Sequence, residues 1–73
     1  MTVETTLERA IVVNGEPLAT RVGTLAELVA ELGLKGARIA TARNGDFVPE
    51  RARGSTRLEP GDRIEIVSPR HGG

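Results

Sequence analysis

Only one stretch of this chain carries a helical period, and strand signals lie on both sides of it. Leu25, Leu28, Val29 and Leu32 recur at i, i+3, i+4 and i+7, which lines one face of an amphipathic helix. Thr24-Leu25-Ala26-Glu27 has the form of a capping box, in which Thr24 accepts from an early backbone N–H while Glu27 reaches back to it. Gly33 suits the left-handed residue just past the helix end, after which Leu34 can fold back onto Val29. The Leu/Val stripe is read as core and is assigned no ligand. A helix with one apolar face needs a surface to cover, and a sheet is what the rest of the chain offers.

Ala10-Ile11-Val12-Val13 is a β-branched run, and Asn14-Gly15 is the dipeptide favoured where a tight hairpin needs positive φ. Leu18-Ala19-Thr20-Arg21 returns as the second strand, with Glu16-Pro17 beside the turn. After the helix, Arg38 to Arg43 is expected as a third strand ended by Asn44-Gly45-Asp46. Ala40 and Ala42 share one face of it, and their small side chains are expected to let the helix approach. Phe47-Val48-Pro49 begins a short edge strand, because Pro49 cannot donate to a central ladder. Glu50 to Thr56 is polar and loop-like, and Leu58 is an isolated apolar plug before the Glu59-Pro60-Gly61-Asp62 turn. Arg63-Ile64-Glu65-Ile66-Val67 alternates at period two, with Ile64 and Ile66 inward. The expected fold is α+β, one main helix across a mixed sheet of four to five strands. The last strand is placed beside the first, in the middle of the sheet. Neither an internal repeat nor a second domain is evident; the expected division is a polar extension over 1–9, a domain over 10–67 and a tail over 68–73.

Several function classes are excluded by what the chain lacks. At 73 residues it forms one small domain, in which a multi-walled catalytic cleft is hard to build. There is no cysteine, so disulfides, thiolate metal sites and cysteine nucleophiles are ruled out. His71 is the sole histidine, which prevents a Ser-His-Asp constellation or a histidine metal cluster. Phe47 is the sole aromatic, which argues against a stacking platform for single-stranded nucleic acid. The formal net charge of zero provides no global field for nucleic acid or an anionic membrane. No apolar run approaches membrane length, and the first nine residues lack the apolar core of a signal peptide. The expectation is a cytoplasmic protein that is not an enzyme, with neither nucleic acid nor membrane as partner. Residues 37–73 carry seven bases against five acids, and Arg51, Arg53 and Arg57 lie in that half as a candidate docking patch for an acidic surface. Arginines this spread also suit a plain solvated face.

The final residues point to a different chemistry. Ser68-Pro69-Arg70-His71 follows the last apolar strand and leads to Gly72-Gly73. Lacking a Cβ, two glycines can thread a channel that any larger residue would block. A slim, flexible tail of this kind suggests that the terminal carboxyl group is the functional group, presented to another protein's active site.

This order of elements with a Gly-Gly tail resembles the β-grasp, ubiquitin-like fold, and more narrowly the ThiS family of sulfur carriers in thiamine thiazole synthesis. The resemblance rests on Val13-Asn14-Gly15-Glu16-Pro17, Thr24-Leu25-Ala26-Glu27-Leu28 and Arg43-Asn44-Gly45-Asp46-Phe47-Val48-Pro49. Above all it rests on Pro60-Gly61-Asp62-Arg63-Ile64-Glu65-Ile66-Val67-Ser68-Pro69 and the tail, so it covers Ala10 to Gly73. Two departures stand out: Glu50 takes a position where many relatives place an arginine, and residues 1–9 are extra, as a leader or an alternative start.

The resemblance implies that an ATP-using enzyme of the ubiquitin-activating type (ThiF) adenylates Gly73. A sulfur donor, a persulfide fed by a cysteine desulfurase or a rhodanese-type protein, then converts the glycyl adenylate to a thiocarboxylate (1-thioglycine). Thiazole synthase (ThiG type) consumes that sulfur. No cofactor is bound by the carrier itself. On this reading Gly73 carries the sulfur and Gly72 keeps the tail slim, while Arg70 and His71 line the channel mouth. The exposed sheet face and the Arg51, Arg53 and Arg57 region dock the activating enzyme. Within the carrier class the alternative is the small subunit of molybdopterin synthase or another thiocarboxylate carrier. From other classes come a ubiquitin-like modifier forming isopeptide bonds through Gly73, and an interaction module with no tail chemistry.

Overall fold

The computed structural model describes residues 8–68. Two hairpins flank one helix, and a last strand joins them. β1 (Arg9–Val13) and β2 (Glu16–Thr20) are antiparallel, and α1 (Leu25–Glu31) follows. The second hairpin is β3 (Ala40–Arg43) with β4 (Asp46–Val48); a 3-10 helix over Glu50–Ser55 then leads to β5 (Arg63–Val67). The sheet order is β2-β1-β5-β3-β4, with β5 parallel to β1 and antiparallel to β3. The last strand is therefore central and beside the first, as expected.

Both hairpins turn on Asn-Gly. Asn14 and Asn44 each have φ 52°, and Gly15 and Gly45 have φ 84° and 89°, so both central residues sit in the left-handed region that a type I′ turn requires. This two-residue turn makes Val13 and Glu16 the first pair of the ladder, so β2 starts at Glu16 and not, as expected, at Leu18. Pro17 is tolerated there because β2 is an edge strand.

The capping box at Thr24 is present: its hydroxyl accepts from Glu27 N–H at 3.2 Å, and Glu27 Oε1 accepts from Gly23 and Thr24 N–H at 2.8 and 3.2 Å. Leu25, Leu28 and Val29 are buried, but Leu32 is not the fourth core position expected from the stripe. The helix lasts two turns, so Leu32 falls at its C-cap and is 38% exposed. Gly33 then adopts φ 78° and Leu34 N–H bonds Val29 O at 2.9 Å, which returns Leu34 to the core in its stead.

The core is Ile11, Leu25, Leu28, Val48, Leu58, Ile64 and Ile66. Leu58 is buried as the expected plug; Leu25 N–H bonds Thr56 O and Leu58 N–H bonds Gly23 O, so this segment is sewn beside the helix start. Two expectations are corrected. Ala40 and Ala42 do not face the helix: Thr41 between them is buried, opposite the buried Val48 and Ile66, so the alanines lie on the outer face. Glu50 to Ser55 is a 3-10 helix packed against α1, not a loop, and it is anchored by Arg53.

Candidate functional site

Cross-strand register places the outer face of the sheet residue by residue. Ala42 is opposite both Phe47 and Glu65, Ala40 is opposite Val67, and Val12 is opposite Arg63. Directly opposed residues share a face, so these side chains form one surface turned away from α1. Phe47 is 69% exposed and Val67 58%, the largest apolar groups on it. Between them lie Ala40 and Ala42, too small to cover either. Glu65 and Arg63 add charge to the same face, so it combines two exposed apolar groups with small and charged neighbours. The same parity that sends Ile64 and Ile66 inward sends Arg63, Glu65 and Val67 outward, so this face was derivable from the alternation.

Of the three candidate docking arginines, Arg53 is removed. It is buried, its Nε donates to Thr41 Oγ1 at 3.0 Å and its Nη2 to Ile39 O at 3.0 Å. The Thr41 hydroxyl in turn donates to Val48 O at 2.8 Å. The guanidinium thus ties the 3-10 helix to β3, a structural commitment of its Nε and Nη2. Arg51 and Arg57 are exposed. They belong to the segment packed on the helix side, so they are not brought together with Phe47 and Val67. Arg70, His71, Gly72 and Gly73 lie outside the described residues, as do positions 1–7 of the expected extension.

The ends of β5 are held by side chains. At its start, buried Asp62 accepts from Arg43 Nε at 2.7 Å, Asn44 Nδ2 at 3.0 Å and Glu59 N–H at 2.8 Å. Burial pushes the Asp62 carboxyl up, but these three hydrogen bonds and the Arg43 charge together hold it below its ordinary value. The same pairing raises Arg43. At the far end, Asn14 clamps Ile66 through both atoms of its amide. Sequence reasoning assigned both asparagines to turns only, and period and composition carry no signal for these side-chain bonds.

A groove of about 390 Å³ runs between α1 and the 3-10 helix, lined by Ala26, Val29, Ala30 and Lys35 with Glu27 and Arg53. The last two are committed to the cap and to β3, and the groove lies on the opposite side of the sheet from Phe47 and Val67. Among the described residues no three His, Cys, Asp or Glu side chains are grouped to hold a metal, and no helix is long and apolar enough to cross a membrane.

The comparisons with known proteins agree with this architecture. The model of the ThiS family matches residues 8–73. A crystal structure of a thiamine biosynthesis protein (ThiS) from Geobacter metallireducens superposes with a TM-score of 0.75 at 25% identity, covering 88% of this chain and 99% of that one. No curated protein sequence matches the chain.

Proposed function

The chain belongs to the ThiS family, and on that premise we propose that it is a sulfur carrier for thiamine thiazole biosynthesis, working as the substrate of other enzymes. The observation that carries the reading is the family match itself, which extends over Gly72 and Gly73. The outer face, with Phe47 and Val67, seats the partner, and Gly73 enters that partner's active site.

The chemistry follows from the functional group. A carboxylate is a poor electrophile, so an activating enzyme of the ThiF type transfers AMP from ATP to the Gly73 carboxylate and releases pyrophosphate. The terminal sulfur of a donor persulfide attacks the activated carbonyl and expels AMP. A thiol then cleaves the resulting acyl disulfide, leaving the thiocarboxylate and a new disulfide. A thiazole synthase of the ThiG type takes the sulfur. The carrier contributes no acid or base; it contributes a slim terminus, in which Gly72 avoids a side chain and Arg70 and His71 contact the channel mouth. Arg51 and Arg57 add a salt-sensitive contact from the helix side.

The test is the intact mass of the protein after incubation with ATP, the cognate activating enzyme and a sulfur donor. Exchange of one oxygen for one sulfur at Gly73 is the expected result. An unchanged mass, with the enzyme active on another carrier, would overturn it. Deleting Gly72-Gly73 is expected to abolish thiolation with the melting temperature unchanged.

A further inference from the structure

We propose that Asn14 is a positioning residue that sets the point at which the tail leaves the sheet. β1 and β5 pair only through Val12↔Arg63 and Val13↔Ile64, after which the chain turns at Asn14-Gly15. The ladder on the other side of β5 continues to Ala40↔Val67. Glu65 to Val67 would therefore be held on one side only. Asn14 fills the gap. Its backbone N–H donates to Ile64 O at 2.9 Å, its Oδ1 accepts from Ile66 N–H at 2.8 Å, and its Nδ2 donates to Ile66 O at 3.0 Å. A primary amide placed this way reproduces both halves of a peptide pair; a carboxylate lacks the donor, and a hydroxyl has a single oxygen where two separate atoms are needed. The ladder is extended by one residue after the backbone of β1 has turned away.

Ile66 is the last buried position among the described residues, and the sequence has five more residues after Ser68. The inference rests on the carrier reading above: a terminus that must reach a site on a docked partner has its reach counted from the last residue held in the sheet. Residues 68–73 span at most about 20 Å when extended, and fraying of Ile66 and Val67, left with only the ladder to β3 once the Asn14 amide is gone, adds about 7 Å. Slack of that order lowers the local concentration of the terminus at the partner's site.

Asn44 provides the control. It has the same φ of 52° in the same kind of turn, and its side chain also grips β5, but at the start: Oδ1 accepts from Arg63 N–H at 2.8 Å. Glycine keeps positive φ in both turns, so Asn14→Gly and Asn44→Gly both retain their hairpins and differ in which end of β5 is released.

The experiment compares the two variants by residue-resolved amide exchange and by adenylation kinetics with the activating enzyme. Asn14→Gly is expected to speed exchange at Ile66 about tenfold or more and to lower kcat/KM for adenylation about threefold. Asn44→Gly is expected to speed exchange at Arg63 and leave kcat/KM unchanged. Unchanged exchange at Ile66 in Asn14→Gly would overturn the clamp. Equal loss of kcat/KM in both variants, in proportion to lost stability, would reduce Asn14 to a structural role. If the wild-type chain is not adenylated, the carrier reading fails and with it the role in tail reach, while the exchange data still decide the clamp.

Discussion

The two faces of the sheet are built from the same five strands, and they differ in burial and in how their side chains fill space. Ile11, Thr41, Val48, Ile64 and Ile66 point inward and are buried under α1. Phe47 and Val67, with Ala40 and Ala42, point outward into water. The inward residues are mostly branched aliphatics that fill the space to the helix. The outward ones set two large apolar groups among the small Ala40 and Ala42 and the charged Glu65 and Arg63. Burial, and with it stability, is concentrated on the face under α1, and substitutions on the other face should cost the fold little.

The largest way to break that division is in the core. Leu28 is fully buried, so Leu28→Ala is expected to destabilise by about 3 kcal/mol, a large fraction of what a domain this small commands. Thermal unfolding would measure it; a loss under about 1 kcal/mol would mean the core re-collapses. Arg53→Ala comes next. It leaves Thr41 and Ile39 without their donor and is expected to lose about 2 kcal/mol. If melting were unchanged but binding to the activating enzyme fell, Arg53 would belong to the docking surface after all.

Asp62→Ala is expected to lose about 1–2 kcal/mol at neutral pH, since Arg43, Asn44 and Glu59 N–H lose their acceptor. The sign of its pH dependence is fixed by the lowered folded value. The stabilisation is present above the ordinary value of 3.8 and is lost as pH falls through the lower folded one. Wild type and variant should therefore converge in acid, and a constant gap from pH 7 to pH 2 would contradict the network. The smallest effect on stability belongs to the outer face. Phe47→Ser with Val67→Ser should stay within about 0.5 kcal/mol of wild type while weakening affinity for the activating enzyme about tenfold. Equal affinity for both proteins, measured by titration calorimetry, would move the docking surface elsewhere. Reversing Arg51 and Arg57 to glutamate should slow activation at low salt and do little at high salt.

Much of the fold was legible in the chain because the signals were local. Asn-Gly pairs specified both turns, the capping box specified where α1 begins, and the alternation through Ile66 specified which side of β5 is buried. The errors arose where position was decided by partners distant in sequence. Leu32 kept the helical period but lay past the point where Gly33 ends the helix. Ala40 and Ala42 suggested close packing, yet the ladder to Val48 and Ile66 turned Thr41 inward instead. Arg53 looked like any surface arginine until Thr41 and Ile39 were placed beside it.

Residue type and spacing were enough for the strands and the main helix, their order, and the absence of thiol or histidine chemistry among them. These follow from residue type and spacing along the chain, which need no knowledge of what lies across space. Contacts across space were needed to bring Phe47 onto the outer surface beside the Val67 strand, to make Arg53 internal and to set Asn14 against Ile66. Such pairings arise when β5 inserts between β1 and β3, and a contact between residues 14 and 66 has no trace in the local pattern of either.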